Sequence, residues 1–222
     1  MTIMAMPRAL RRLREVVPPV IREGLVAGVR LAGRRLAHTP PPRPRTDELY
    51  LHLGCGRIDH PKFVNVDAVP FPHVHYVRGL EDLSPIAGDA AALVYACHCL
   101  EHFSYPSVPT ILTEWRRVLR PGGILRLSVP DFDRLLAIYR AHDDVTDIQA
   151  ALLGGQDSRY NYHKAVFTRR SLGDMLVSAG FHDVREWTPG SSDLTTFDDW
   201  SGRKVPIHGT DYEISLNLEA VK

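Results

Sequence analysis

Hydrophobic and polar positions follow two rhythms along the chain. "ELYLHLG" (residues 48–54), "FVNVD" (63–67) and "AALVYACH" (91–98) are short apolar runs bounded by turn residues, and read as strands. "HVHYVRG" (73–79) is a weaker run of the same kind. "SVPTILTEWRRVLR" instead repeats at helical spacing, with Val108, Ile111, Leu112, Trp115, Val118 and Leu119 on one face, up to a stop expected at "PGG". "ILRLSVP" is then a fifth strand, and a helix through "RLLAIYR" follows with Asp133 as its expected N-cap. A less regular section covers residues 141–165. "TRRSLGDMLVSAG" is a further helix, capped by Thr168 and stopped by Gly180, and "FHDVREWTP" and "YEISLNLEAVK" supply the last strands. This alternation predicts an α/β open sheet, parallel in the main.

Upstream the pattern changes. Ile21, Leu25, Val29, Ala32 and Leu36 fall in one arc, with Glu23, Arg30 and Arg34 opposite, so residues 20–37 read as a basic amphipathic helix. "HTPPPRPRTDE" follows, and its prolines favour an extended linker. The expected division is an arm and linker over residues 1–46 and a catalytic domain over 47–222. Charge separates the same parts: residues 1–45 hold ten arginines against Glu15 and Glu23, while the whole chain of 222 residues carries only +1. Such an arm can lie on an anionic membrane surface or dock on its own acidic body. A nucleic-acid partner is disfavoured, because no aromatic-rich basic platform accompanies the charge. Cys55, Cys97 and Cys99 are too few for a disulfide framework, no run of 18 apolar residues exists, and Arg22, Glu23 and Arg30 interrupt the one stretch suited to a signal peptide. The expected location is the cytoplasm, with the arm free to hold the protein at the inner face of the membrane.

The chemistry concentrates in "LHLGCGRIDHPKFVNVD". A glycine turn lets a ligand approach backbone that a Cβ would block, and an acid at the tip of the next strand suits a ribose. Only ten residues separate Gly56 from Asp67, against about 20 in a dinucleotide fold, and Asp59 stands where a third small residue would be needed. The expected ligand has a ribose but no diphosphate.

"LHLGCG", "FVNVD", "YACHCLEHF", "EWRRVLRPGGILRLSVPD" and "LGDMLVSAGF" together resemble successive motifs of class I S-adenosylmethionine-dependent methyltransferases, in particular the type 11-like subgroup often associated with surface-polysaccharide gene clusters. The resemblance covers residues 48–222. It implies a Rossmann-like fold: a seven-stranded, mostly parallel sheet whose last strand is antiparallel and whose first crossover helix is short or missing. It also implies S-adenosylmethionine as cofactor, with Leu53, Gly54, Cys55 and Gly56 near its methionine part, Asp67 and Ala68 at the ribose, Asp82 and Leu83 in the adenine region, and Cys97, His98 and His102 after the fourth strand. His52 stands where many class I enzymes have an acid, and Gly79 falls where the third strand often ends in one.

"CHCLEH" offers four metal-competent side chains, but strand alternation would turn His98 away from Cys97 and Cys99, so no metal is expected. If the acceptor is a hydroxyl, a base near neutral pH is useful. His163, in "RYNYHKAVF", is the first candidate and Asp131, at the end of the fifth strand, the second. Tyr160 and Tyr162 suit a sugar face or ordinary packing. The favoured reaction is methyl transfer to a sugar hydroxyl of a surface-glycan precursor. A small metabolite or lipid-like acceptor, or a non-catalytic binding module on the same fold, stand as alternatives.

Overall fold

The computed structural model describes residues 33–191, 194 and 198–222. The predicted helix over 20–37 lies almost wholly outside the described residues. Residues Pro40–Lys222 form one compact unit.

Among the described residues this unit has nine strands and four α-helices: β1 (Leu49–Leu53), β2 (Val64–Asp67), β3 (Tyr76–Val77), β4 (Ala91–Cys97), α1 (Val108–Val118), β5 (Leu119–Pro130), α2 (Phe132–His142), α3 (Thr146–Leu153), α4 (Arg169–Ser178), β6 (His182–Glu186), β7 (Lys204–Ile207), β8 (Thr210–Glu213) and β9 (Ser215–Val221). The main sheet has seven strands in the order β3-β2-β1-β4-β5-β9-β6, and β7 and β8 form a separate hairpin. β1 pairs in parallel with β2 and β4, and β4 with β5, whereas β9 runs antiparallel to both β5 and β6. The sheet is thus the expected Rossmann-like arrangement. Its strand order reverses between β1 and β4, which places the switch point beside the glycine turn.

Each sheet face is closed by a different device. On one, Leu51, Leu53, Val94 and Ala96 pack with Ile111, Leu112 and Trp115 of α1 and Leu172 and Leu176 of α4. Trp115 is fully buried and donates its Nε1 hydrogen to the Leu80 carbonyl at 2.8 Å. The other face carries the consequence of the short first crossover. Residues 54–63 form turns only, with no helix. Phe63, Leu93, Tyr95 and Trp187 seal the sheet instead, and Trp187 Nε1 donates to the Leu127 carbonyl at 2.9 Å. The proline segment runs alongside: the Pro42 carbonyl lies 3.3 Å from His75 Nε2, and the Arg43 guanidinium sits over the Tyr76 ring.

Several boundaries differ from expectation. α1 ends at Val118, two residues early, because Leu119 turns extended and pairs with Ala91. "PGG" therefore lies inside β5, where a Cβ on Gly123 would meet the Ala91 carbonyl oxygen at 2.9 Å. α2 is capped by Asp131, whose carboxylate accepts the Asp133 N–H at 3.0 Å, so Asp133 is not the cap. Thr168 does cap α4, in a reciprocal box with Ser171. Helix α3 and β7 occupy stretches that were not assigned as helix or strand, and Tyr212 and Glu213, read as the start of the last strand, belong to β8 instead.

Candidate active site

At the carboxyl ends of β1 and β4 lies a cavity of about 710 Å³. It is lined by Gly54, Cys55 and Gly56 of the turn, by Cys97, His98 and His102 at and after the end of β4, and by Ala151, Asn161 and His163. The two glycines serve different ends. Gly54, at φ 65°, is close-packed, since a Cβ there would lie 2.3 Å from Cys99 Sγ. Gly56, at φ 56°, would present a Cβ to open space, so its bareness leaves the turn accessible rather than packed.

Asp67 holds this turn from the side. Its carboxylate accepts the Gly56 N–H at 2.8 Å and the Val69 N–H at 2.7 Å. Burial raises its pKa, and those two N–H groups oppose the shift. His73 Nε2 approaches the Gly56 carbonyl at 3.0 Å, so both ends of the Gly56 residue are fixed.

The segment after β4 departs from strand geometry. His98 adopts φ 48°, and Leu100–His102 form a single 3-10 turn. The alternation that would have opposed His98 to its neighbours therefore ends at Cys97. His98, Glu101 and His102 instead stand at helical spacing, three and four residues apart. Glu101 is 1% exposed. Its Oε1 lies 3.4 Å from His98 Nδ1 and 3.9 Å from His163 Nε2, and neither carboxylate oxygen accepts a hydrogen bond among the described residues. The His102 and His163 rings meet edge to face at 4.9 Å. Burial raises the Glu101 pKa to about 8 and lowers those of His98 to about 3 and His163 to about 4. Glu101 was not among the residues singled out from sequence, although the His-x-x-Glu-His spacing at 98–102 carries the signal.

Other residues named from sequence lie apart from this cavity. Leu53 is fully buried, and its carbonyl faces the Cys99 thiol at 3.3 Å. Ala68 is half-buried beyond Asp67. Leu83 is fully buried; its N–H donates to Glu114 of α1 at 2.8 Å, while Asp82 pairs on the surface with Arg78 at 2.8 Å. The whole 80–86 loop is thereby tied to α1, with Arg117 donating to the Leu83 and Ile86 carbonyls. Asp131 also lies outside the cavity lining: besides capping α2, its carboxylate lies 3.3 Å from Arg134. The three cysteines are free, and burial pushes each thiol up, so none is a ready nucleophile. Tyr162 is exposed, and Tyr160 is stacked beneath Arg159.

Residues 61–127 match the family model described as a methyltransferase domain. That stretch of the chain is similar to a methyltransferase domain. No curated protein sequence matches it. Among solved structures, a SAM-dependent methyltransferase from Archaeoglobus fulgidus is 16% identical, with a TM-score of 0.52 over 89% of this chain and 93% of that one. Another, from Methanosarcina mazei, is 15% identical with a TM-score of 0.52, covering 93% and 98% of the two chains. At such identities these two establish the shared fold. The domain match supports a methyltransferase, and S-adenosylmethionine is the cofactor that the resemblance of the motifs implies. The residues present fit that cofactor, because the open space that a Cβ on Gly56 would fill lies at the switch point.

Proposed function

We propose that the methyltransferase acts on a hydroxyl of a polar acceptor, with a sugar of a surface-glycan precursor favoured over a small metabolite or lipid-like molecule. The observation that carries the hydroxyl reading is that the glycine turn and the histidines around Glu101 line a single cavity. A methyl donor on the turn and an oxygen nucleophile near His163 would there be neighbours, and alignment is the larger part of catalysis in such a displacement. The preference for a glycan rests on the resemblance of the motifs to the polysaccharide-associated subgroup.

S-adenosylmethionine supplies an electrophilic methyl group on a sulfonium. Gly56 bares the backbone for its methionine part while Gly54 packs the turn against Cys99, and Asp67, at the tip of β2, takes the ribose side. His163 stands on the acceptor side. Its Nδ1 lies 2.9 Å from the Ala151 carbonyl, which can only accept, so that nitrogen carries the hydrogen and Nε2 is left with its lone pair. With its pKa held near 4, the ring is neutral at physiological pH. Nε2 can then receive or direct a hydroxyl proton, although as a free-standing base it is weaker than ordinary imidazole. Asp131, already engaged as a helix cap, is the lesser candidate. The +8 arm with its apolar stripe favours a second element of the reading, attachment to the inner face of an anionic membrane.

Mass spectrometry of surface glycans from a deletion strain identifies the acceptor by a missing methyl group. With that acceptor in hand, His163→Ala should lower turnover by roughly 10²–10⁴-fold, the usual contribution of a positioned proton acceptor, without loss of S-adenosylmethionine binding. A purified parent that fails to bind S-adenosylmethionine in calorimetry overturns the donor assignment. Unchanged glycans in the deletion strain overturn the acceptor.

A further inference from the structure

We propose that Glu101, His102 and His163 form a binding site for one divalent transition-metal ion, which holds and ionises the acceptor hydroxyl. The proposal rests on the methyl-transfer reading and deepens it, with one change: the His163 Nε2 lone pair holds the ion instead of receiving the hydroxyl proton. The ligand atoms of these three residues lie within 4.8 Å of one another. Atoms bound to one such ion at about 2.1 Å sit roughly 3–3.5 Å apart, so a small inward movement of side chains closes the set.

The hydrogen-bond pattern supplies the second argument. His163 Nδ1 donates to the Ala151 carbonyl at 2.9 Å, and His102 Nδ1 to the Tyr162 carbonyl at 3.2 Å. The His163 ring therefore keeps a bare Nε2, while His102 also has the His98 carbonyl as a hydrogen-bond partner. His98 is fixed the other way round. The Ser215 hydroxyl donates to the Trp200 carbonyl at 2.7 Å, so it accepts from His98 Nε2 at 2.8 Å. His98 thus turns a bare Nδ1 towards Glu101 Oε1 at 3.4 Å. The buried Glu101 carboxyl group faces imidazole lone pairs, which either its own proton or a cation in its place would meet. A carbonyl on the far nitrogen is a usual way in which a metal-binding histidine is oriented. Two imidazoles and one carboxylate suit zinc, iron, cobalt or nickel better than magnesium, and three protein ligands leave positions open for substrate.

The site lies in the same cavity as the glycine turn, since His102 and His163 both line it. There the acceptor's O–H bond breaks with its proton released to water, as the cation lowers the hydroxyl pKa. The oxygen lone pair forms the O–CH3 bond, and the S–CH3 bonding pair returns to sulfur, leaving a neutral thioether. Charge is conserved, and no oxidant is needed. A second group, His142, Asp147 and His208, is also compact, but its atoms are already paired: His142 with the Tyr212 hydroxyl at 2.9 Å and His208 with Asp147 at 3.1 Å.

The test uses the full chain, stripped with chelator and titrated with Co²⁺ by visible absorption, with Zn²⁺ as competitor. One high-affinity Co²⁺ per chain is expected. Glu101→Gln and His163→Ala should each weaken it by more than about 100-fold, beyond the loss of a mere outer partner. His208→Ala should leave it unchanged. S-adenosylmethionine binding, followed by calorimetry, should persist in both ligand variants and reports their folding. If Glu101→Gln does not fold, His102→Ala takes its place. A parent that binds S-adenosylmethionine but takes up no stoichiometric Co²⁺ overturns the site and spares the methyl-transfer reading. Co²⁺ binding without S-adenosylmethionine binding does the reverse. Co²⁺ affinity that survives the ligand substitutions, or falls with His208→Ala alone, also overturns the site.

Discussion

His52 offers a test of the interior that is independent of any ligand. It lies in the middle of β1, 1% exposed, with its ring against Phe63 and Tyr95 at centroid distances of 5.9 and 5.2 Å. Burial lowers its pKa from 6.5 to about 3. Between those values the unfolded chain binds a proton that the folded chain refuses, so acid favours unfolding. The His52 contribution is intact above about pH 6.5 and is eroded as pH falls towards 3, at ~1.4 kcal/mol per unit. From pH 7 to pH 5 the loss is about 2 kcal/mol. His52→Phe keeps an aromatic ring and removes the titration. Urea unfolding followed by tryptophan fluorescence should then show a parent whose drop between pH 7 and pH 5 exceeds that of the variant by about 2 kcal/mol, because the other histidines cancel in the comparison. Equal drops in the two proteins would mean that the imidazole is not held neutral, and the reasoning from burial would be refuted. Absolute stability at pH 7 is not the readout, since the exchange also alters packing.

The glycine turn separates two effects. Gly54→Ala collides with Cys99 and should lower the melting temperature, whereas Gly56→Val meets only open space and strain, and should lose S-adenosylmethionine affinity in calorimetry while remaining folded. Unaltered affinity in Gly56→Val would argue against cofactor approach at that position. Asp67→Ala removes the acceptor for two backbone N–H groups, at roughly 1.5–3 kcal/mol for each bond to a charged group, and should weaken the cofactor further than Asp67→Asn does. Trp187→Ala should cost about 3–5 kcal/mol of unfolding free energy, as expected for a large buried aromatic. In liposome flotation the full chain should float with anionic vesicles and sink as salt rises, while a chain starting at Asp47 should not float; equal behaviour of the two would remove the membrane role.

The strongly periodic segments were legible because burial follows period directly. β1, β4, α1 and α4 lie where apolar spacing puts them, and the first crossover lacks a helix, in line with the short or missing one that the resemblance implied. What escaped had weak or contrary local signals. Helix α3, "TDIQAALL", is short and has no polar stripe, so its amphipathic rhythm is faint. In the β7–β8 hairpin, Pro206 argues against a strand, yet the pair is an isolated two-stranded ribbon, with His208 and Gly209 both at positive φ in its two-residue turn. The site was hardest where one backbone angle redirected a motif. His98 in the left-handed region turns what reads as strand alternation into one face of a 3-10 turn. The partner of that face, His163, lies about 60 residues further on and is brought there by tertiary folding alone.

The main chain of Glu101 has a consequence of its own. Its carbonyl accepts the N–H groups of Lys164 and Ala165 at 2.7 and 3.2 Å. The turn that follows β4 and the segment that carries His163 are therefore pinned together, backbone to backbone. An acceptor that shifts the His163 segment must drag the Leu100–His102 turn with it, and Cys99, one residue before that turn, packs against Gly54. The two substrates would then sense each other through a rigid hinge instead of through direct touch. Thermodynamic reciprocity makes such communication symmetric: whatever factor the acceptor adds to donor affinity, the donor returns to the acceptor. An enzyme built this way would also let go of its products as a pair of linked events, the departure of one loosening its hold on the other.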